Sequence, residues 1–213
     1  MGQVLTVNVV YEVRPDRHND AGRSGIDKRP VGGRVAVGAL GLAGDQQLDV
    51  KHHGGRDKAV YAYASEDADW WSRELGRPIA PGQFGENLTT RGIDLTGAFV
   101  GECWQVGDAV LEVAQPRMPC ATFQDWMGER GWVKRFTQHG APGVYLRVLG
   151  EGSVGAGDPI QVLDRPAHGV SIGACFGDFE PATAQRLLSA ASVGEVDLAS
   201  SLRRYAERAL ART

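Results

Sequence analysis

Glycine interrupts this chain at short and irregular intervals, and this feature restricts the possible folds most strongly. The chain has 29 glycines in 213 residues, about twice the usual share of roughly 7%. An excess of glycine without a fixed period is typical of many tight turns, which join short strands. The sequence therefore predicts a strand-rich body.

The overall composition excludes several classes of protein. Hydrophobic residues make up 42% and charged residues 23% of the chain, close to globular averages. The net charge of −3 and the pI of about 6.0 predict no nucleic-acid partner and no anionic membrane surface. No apolar run approaches the ~18 residues of a membrane helix, and the N-terminal residues lack a signal-peptide pattern.

The three cysteines are Cys103, Cys120 and Cys175. Their odd number and the absence of a CxxC spacing do not predict a disulfide framework. We therefore expect a reducing, cytoplasmic environment. Cys103 falls in a predicted strand and Cys175 near the C-terminus, so both are interpreted as packing residues.

Turn signals divide most of the chain into short β-rich runs. We expect strands at residues 4–13, 34–40, 59–63, 87–90, 99–106, 109–114, 143–149 and 159–163. A helix is predicted at residues 65–75 with Ser65 as its N-cap, and partial helix at 121–139. Residues 14–33, polar and rich in glycine and proline, are interpreted as a long loop that is either functional or partly disordered. This pattern favours a mostly β fold with some α, a β-barrel rather than a doubly wound sheet.

The composition changes after about Arg165-Pro166. Pro181 suits a first helical position, and apolar residues then recur at helical spacing in two segments. We therefore predict two domains, a β-barrel at residues 1–165 and a small helical appendage at residues 166–213. The five tryptophans are expected in the core.

One segment carries the strongest chemical signal, Gln115-Pro116-Arg117-Met118-Pro119-Cys120. Two prolines restrict the backbone just after a predicted strand and would hold the thiol in place. A neighbouring arginine would favour the thiolate, which can be a nucleophile, a persulfide carrier or a soft-metal ligand. A buried cysteine at a strand end is an equally good interpretation.

Residues 51–58, KHHGGRDK, form a second candidate site. Adjacent histidines on an extended chain point to opposite faces, so they would chelate one metal poorly. Gly54 and Gly55 would let the backbone approach an anion, with Arg56 or Lys58 supplying charge. An exposed polar turn is the alternative.

Two weaker candidates flank these segments. Asn87, in the segment Phe84-Gly85-Glu86-Asn87, could read the edge of a heterocycle or simply cap a turn. Residues 24–30, with Lys28 and Arg29, form a basic segment that would suit a phosphate or be an ordinary solvated loop.

Taken in order, the stretches SGIDKRPV, GLAGDQQLD, HHGGRDKAVYAY, GRPIAPGQFGENLTT, GECWQVGDAVLEVAQPRMPC and GVYLRVL resemble the MOSC domain, and in particular its stand-alone bacterial YiiM type. The resemblance spans about residues 24–149. Residues 166–213 are similar, more loosely, to the three-helix tail of that type.

The resemblance implies a β-barrel that binds the molybdenum cofactor, a pterin with a dithiolene-bound metal and a phosphate tail. It implies that Cys120 is the molybdenum ligand and that Arg117 and Asn87 take part in catalysis. The cofactor-binding residues that it implies are Lys28, Arg29, His53, Gly54, Gly55, Lys58, Asn87 and Arg117. Gly85 replaces a basic residue of some relatives, which removes one of their charge contacts.

The implied activity is reduction of N-hydroxylated compounds such as 6-hydroxylaminopurine. No flavin fingerprint or iron–sulfur cysteine pattern is present, so a separate reductase would supply electrons. One alternative is a sulfur carrier whose Cys120 receives a persulfide from a pyridoxal-phosphate-dependent desulfurase. Another is a cofactor-binding module without turnover. A homodimer is possible in each case.

Overall fold

The structure is a computed structural model that describes residues 2–49 and 54–212. It contains eleven strands in this part of the chain. These are β1 (Gly2–Pro15), β2 (Arg23–Val31), β3 (Val35–Gly38), β4 (Gly41–Leu42), β5 (Val60–Ala64), β6 (Leu88–Arg91), β7 (Cys103–Val106), β8 (Ala109–Pro116), β9 (Val144–Gly150), β10 (Gly152–Val154) and β11 (Pro159–Asp164).

Seven of these strands close into a β-barrel in the order β1-β6-β5-β9-β8-β7-β11. The ring closes where β11 pairs with the start of β1, with Ile160 opposite Gly2. Strand β5 runs parallel to β6, and the other pairs of the ring are antiparallel. Closure removes the free edges of the ring, and the predicted mostly β fold is confirmed.

Two further pieces of sheet lie outside the ring. Strand β2 pairs antiparallel with β1, from Val7 opposite Val31 to Pro15 opposite Arg23. Strands β10, β3 and β4 form a small separate sheet. Strand β2 corrects the prediction of a loop at residues 14–33, because only residues 16–22 turn between the two strands. The polar sequence of this strand is typical of a loop, but a strand added at the edge of a sheet needs little apolar surface.

Five α-helices complete the described part of the chain. They are α1 (Ser65–Leu75), α2 (Ala121–Met127), α3 (Trp132–His139), α4 (Pro181–Ser192) and α5 (Ser200–Leu210). Helix α1 has its predicted bounds, but Ala64 rather than Ser65 is the N-cap. None of the described helices is long and apolar enough to cross a membrane.

The buried side chains form two clusters. The aliphatic cluster fills the barrel and continues into the C-terminal segment, where Leu187 and Leu202 belong to the same cluster as Val113 and Leu146. The C-terminal segment contains a 3-10 turn and helices α4 and α5. The boundary at residue 165 stays a prediction.

The second cluster is aromatic. Its members include Tyr61, Tyr63, Trp71, Phe84, Phe123, Trp132, Phe136 and Tyr145. Trp71, Trp104 and Trp132 are buried as predicted, whereas Trp70 is 37% exposed and therefore not a core residue. Trp126 is half-buried and donates from Nε1 to the Gln83 carbonyl at 2.7 Å. The aromatic cluster reaches the cleft described next.

Candidate functional site

A cleft opens where the start of α2, strand β2 and the connection after β4 meet. Five stretches line it, together with Tyr61 and Tyr145. The lining residues of the five stretches lie within residues 16–19, 24–28, 45–49, 84–87 and 117–122. The enclosed part has a volume of about 100 Å³. The cleft therefore joins segments that are far apart in sequence.

Cys120 lines the cleft at the residue before helix α2. Its backbone is extended, with φ −134° and ψ 173°, and its carbonyl accepts from the Gln124 amide at 3.1 Å. The residue is partly exposed. The structure thus places this cysteine at the end of a proline-restricted segment and in contact with the cleft, as the sequence predicts.

Arg117 lines the same cleft but is only 4% exposed. Its guanidinium carbon lies 3.7 Å from the centroid of the Phe123 ring and 5.9 Å from that of Tyr61. Within the described residues, Arg117 Nη1 is buried without a hydrogen-bond partner. A buried cation that lacks a counter-ion is costly, so this group is suited to an anion that enters the cleft.

Lys28 also lines the cleft, but its charge is compensated. Its Nζ lies 2.6 Å from Asp45 Oδ2, and both side chains are nearly buried. The other Asp45 oxygen accepts from the Val10 amide at 3.1 Å. Asp45 was missed as a site residue, and its position in the GLAGDQQLD stretch was the available signal.

Asn87 is 2% exposed, and its amide is fully used by the protein. Its Nδ2 donates to Asp45 Oδ2 at 2.8 Å and to the Asn8 carbonyl at 3.3 Å, and its Oδ1 accepts from the Tyr61 amide at 3.0 Å. Since a primary amide has two donor hydrogens, none is left for a ligand. Asn87 therefore orients Asp45 from the lining of the cleft, and its predicted cofactor contact stays a prediction.

Arg29 is separated from the cleft because successive side chains of a strand point to opposite faces. Ser24, Ile26 and Lys28 line the cleft. Arg29 lies on the other face, where it bonds to Asp27 at 3.1 Å and stacks over Tyr11 at 3.6 Å. The predicted cofactor contact of Arg29 is therefore not supported.

The described part of the glycine-rich segment, residues 54–58, lies outside the lining of the cleft. Gly54 and Gly55 are not among the residues that line the cleft, and the Gly55 amide donates to Gln47 Oε1 at 2.7 Å. Lys58 lies behind the cleft, with its Nζ 5.8 Å from the centroid of the Tyr145 ring. Burial lowers the pKa of Lys58. The predicted His53 contact lies outside the described residues.

The turn after β1 adds a wall that the sequence did not predict. Asp16, 8% exposed, accepts from Thr122 Oγ1 at 2.7 Å and from the His18 amide at 2.9 Å. Asn19 donates from Nδ2 to Asp16 and to the Arg23 carbonyl, which leaves its buried Oδ1 without a partner among the described residues. These bonds fix the turn to the start of α2.

Tyrosines and a tight turn form the back of the cleft. Burial raises the pKa of both Tyr61 and Tyr145, and the Tyr61 hydroxyl donates to the Pro142 carbonyl at 2.8 Å. Gly82, at φ +86°, lies so close to β2 that a Cβ there would overlap the Lys28 carbonyl. The wall is thus neutral, aromatic and tightly packed.

The other two cysteines lie away from the cleft lining. Cys175 is buried in the aliphatic cluster, and burial raises the pKa of its thiol to about 12. Cys103, in β7, is partly buried, and its pKa is raised by burial and by nearby carboxylates, Glu112 first. Both positions agree with the predicted packing roles.

These observations define a β-barrel protein whose cleft is lined by a partly exposed thiol, by a buried arginine whose Nη1 has no hydrogen-bond partner among the described residues, and by the carboxylates of Asp16, Asp45 and Asp49. The family model described as the MOSC domain matches residues 49–161. The chain belongs to the MOSC domain family.

Individual proteins extend this match. The "Uncharacterized protein YflK" of Bacillus subtilis (strain 168) is 36% identical over 186 residues, which cover 85% of this chain and 84% of that protein. A protein named "Reductase" from Gibberella moniliformis (strain M3125 / FGSC 7600) is 34% identical over 149 residues, 67% of this chain but 26% of the reductase. The crystal structure of YiiM from Geobacillus stearothermophilus has a TM-score of 0.80 at 29% identity and covers 99% of this chain and 100% of that one.

Proposed function

We propose that this protein is a molybdenum-cofactor-dependent reductase of N-hydroxylated compounds, with Cys120 as the metal ligand. The observation that carries the proposal is the placement of Cys120 in one cleft with the buried Arg117, whose Nη1 has no hydrogen-bond partner among the described residues. A thiolate is a ligand for soft metal centres, and a buried guanidinium is suited to an anionic ligand. Membership of the MOSC domain family supports the choice of cofactor.

The residues of the cleft fit an anionic cofactor at one end. Arg117 is available for the negative charge, whereas Lys28 is already paired with Asp45. The enclosed volume of about 100 Å³ is smaller than the roughly 300–1,000 Å³ of most cofactor sites. A pterin cofactor would therefore place its metal end in the cleft and extend outside it.

When bound, the molybdenum cofactor supplies two-electron chemistry that removes oxygen from an N–O bond. Cys120 would hold the metal at the cleft, and Arg117 would neutralise charge on the cofactor or on the leaving oxygen. Tyr61, Tyr145 and Phe84 would form an apolar wall that limits access of water. Asn87 acts indirectly, because it orients Asp45 and through it the Lys28 ammonium.

The electrons would come from a separate reductase. The chain has three cysteines, fewer than the four of a typical iron–sulfur centre. The match covers 26% of the fungal reductase, so most of that protein consists of segments that have no counterpart in this match. The proposal thus has two partners, a small N-hydroxylated substrate and an electron donor. The possible homodimer and the cytoplasmic location remain predictions.

Metal analysis of Cys120→Ser and Cys103→Ala tests the proposal. Wild type and Cys103→Ala, purified from a host that makes the cofactor, should carry about one molybdenum per chain and reduce 6-hydroxylaminopurine with reduced methyl viologen. Cys120→Ser should lose both properties while it keeps a wild-type circular dichroism spectrum. Equal losses in the two variants, or full metal content in Cys120→Ser, would refute the assignment.

The small enclosed volume favours a second candidate, a sulfur carrier. A persulfide on Cys120 needs much less room than a pterin, and the residue is partly exposed. Under this alternative, metal-free protein incubated with a pyridoxal-phosphate-dependent desulfurase and cysteine gains cyanolysable sulfur that Cys120→Ser does not gain. Molybdenum binding without donor-dependent turnover would instead indicate a cofactor-binding module.

A further inference from the structure

We propose that the C-terminal helices position the segment that carries Arg117 and Cys120, and that Ser201 is the positioning residue. Ser201 is the second residue of α5, and its hydroxyl donates to Gln115 Oε1 at 2.6 Å. Gln115 is the first residue of the QPRMPC segment that the sequence analysis identified. One hydrogen bond therefore joins the C-terminal helices to the start of the cysteine segment.

Gln115 is well placed to transmit this contact. It is 4% exposed, lies in β8 opposite Tyr145 of the cleft wall, and donates from Nε2 to the Asp57 carbonyl at 3.3 Å. Pro116 and Pro119 follow it and restrict the backbone up to Cys120. Because the segment is short and stiff, a displacement at Gln115 moves Arg117 and Cys120 with it.

A second contact from the same region supports this role. Asp197, in the connection between α4 and α5, approaches Arg147 with its carboxylate at 3.1 Å and accepts with its backbone carbonyl at 2.8 Å. Arg147 is 1% exposed and also lies 2.8 Å from Asp57. The Asp57 carbonyl accepts from Gln115 as well. The C-terminal region thus contacts Gln115 and Arg147, and both of these residues contact Asp57.

The consequence is that removal of the Ser201 hydroxyl should loosen the cysteine segment without unfolding the barrel. A buried hydrogen bond of ordinary strength corresponds to about a five-fold change in a local opening equilibrium. Cys120 is already partly exposed, and greater mobility of the segment should expose its thiol more often, so Cys120 should react faster with an alkylating reagent. This inference does not depend on the molybdenum cofactor.

The experiment measures alkylation of Cys120 by iodoacetamide in the full-length, cofactor-free chain, quantified by peptide mass spectrometry. Ser201→Ala should raise the rate about five-fold, and Ser201→Thr, which keeps a hydroxyl, should restore it to within about two-fold of wild type. Ser192→Ala is the matched control, because Ser192 is exposed on α4 and donates only to the Ser189 carbonyl in the described part of the chain.

The outcomes separate positioning from general loosening. A wild-type rate in Ser201→Ala would overturn the proposal, as would an equal rise in Ser192→Ala. A rise in Ser201→Thr as large as in Ser201→Ala would also overturn it, because the hydroxyl would then be irrelevant. Failure of the molybdenum assay would leave this result unchanged, so the two proposals are tested independently.

Discussion

The guanidinium of Arg117 stacks on the ring of Phe123, with 3.7 Å between its carbon and the ring centroid. This contact holds the cation in place but supplies little of the charge compensation that a carboxylate would give. Arg147 shows the alternative in the same molecule, because it is equally buried and contacts Asp57, Glu112 and Asp197. The difference is that Arg147 forms ion pairs that join three segments of the fold, whereas Arg117 forms no ion pair with a carboxylate of the described residues.

Replacement of these two arginines by methionine should therefore have opposite effects on stability. Arg117→Met removes a buried charge that forms no ion pair within residues 2–49 and 54–212, so the free energy of unfolding of the cofactor-free protein should stay constant or rise by about 1–3 kcal/mol. Arg147→Met leaves the half-buried carboxylates of Asp57 and Glu112 without this partner and should lower the free energy of unfolding by about 1.5–3 kcal/mol. Urea unfolding measures both values. A similar loss of unfolding free energy in Arg117→Met and Arg147→Met would show that Arg117 stabilises the fold.

Asp45 should be among the residues whose loss costs most at the cleft. Asp45→Ala leaves the Lys28 ammonium and one Asn87 amide hydrogen without their partner, so unfolding should become easier by about 3 kcal/mol. Glu74→Ala is the matched control, since Glu74 forms an exposed pair with Arg135 at 3.4 Å and should cost at most about 1 kcal/mol. Urea unfolding measures both variants. An equal loss of unfolding free energy in Asp45→Ala and Glu74→Ala would contradict a central role for Asp45.

Local patterns in the sequence predicted the features that depend on neighbouring residues. Helix α1 has its predicted bounds because its apolar face and the glycine at its C-terminus are local signals. Arg117 and Cys120 lie in one cleft because only Met118 and Pro119 separate them, and Pro116 and Pro119 restrict the backbone of this segment.

Long-range pairing accounts for most of what the sequence did not predict. Strand β2 exists because the long strand β1 offers it an edge, which its own polar residues do not reveal. Asp45 and Asp16 reach the cleft only after the barrel brings together residues about 40 to 100 positions apart. Arg29 was assigned to the cleft with Lys28, although neighbours in a strand face opposite ways.

Asp27 should make the protein sensitive to acid. Burial alone would raise its pKa, but the hydrogen bonds from Arg29 and Arg14 outweigh burial and hold the pKa below its ordinary value of 3.8. A lowered carboxyl pKa stabilises the fold above that ordinary value, and the contribution disappears as the pH falls through the folded-state pKa. Asp27→Asn should therefore be less stable than wild type at pH 7 and lose less stability between pH 5 and 2.

Urea unfolding at a series of pH values measures this effect. Asp69→Asn is a suitable control, because Asp69 is exposed and its pair with Arg91 is long, at 3.8 Å. It should follow the wild-type pH dependence. A parallel curve for Asp27→Asn would show that the three-residue network on the outer face of β2 contributes nothing to acid sensitivity.

The thiols should divide into two that react in the native protein and one that reacts only after unfolding. Burial raises the pKa of Cys175 to about 12, so about one molecule in ten thousand carries its thiolate at pH 8. Ellman's reagent should therefore titrate Cys120 and, more slowly, Cys103 at pH 8, and the third thiol only in guanidinium chloride. Cys120→Ser should remove one of the thiols that react in the native protein and leave the buried thiol of Cys175 unchanged. If three thiols per chain reacted rapidly in the native protein, the aliphatic cluster would have to open around Cys175. The C-terminal helices that pack there would then be too loosely held to position the cysteine segment.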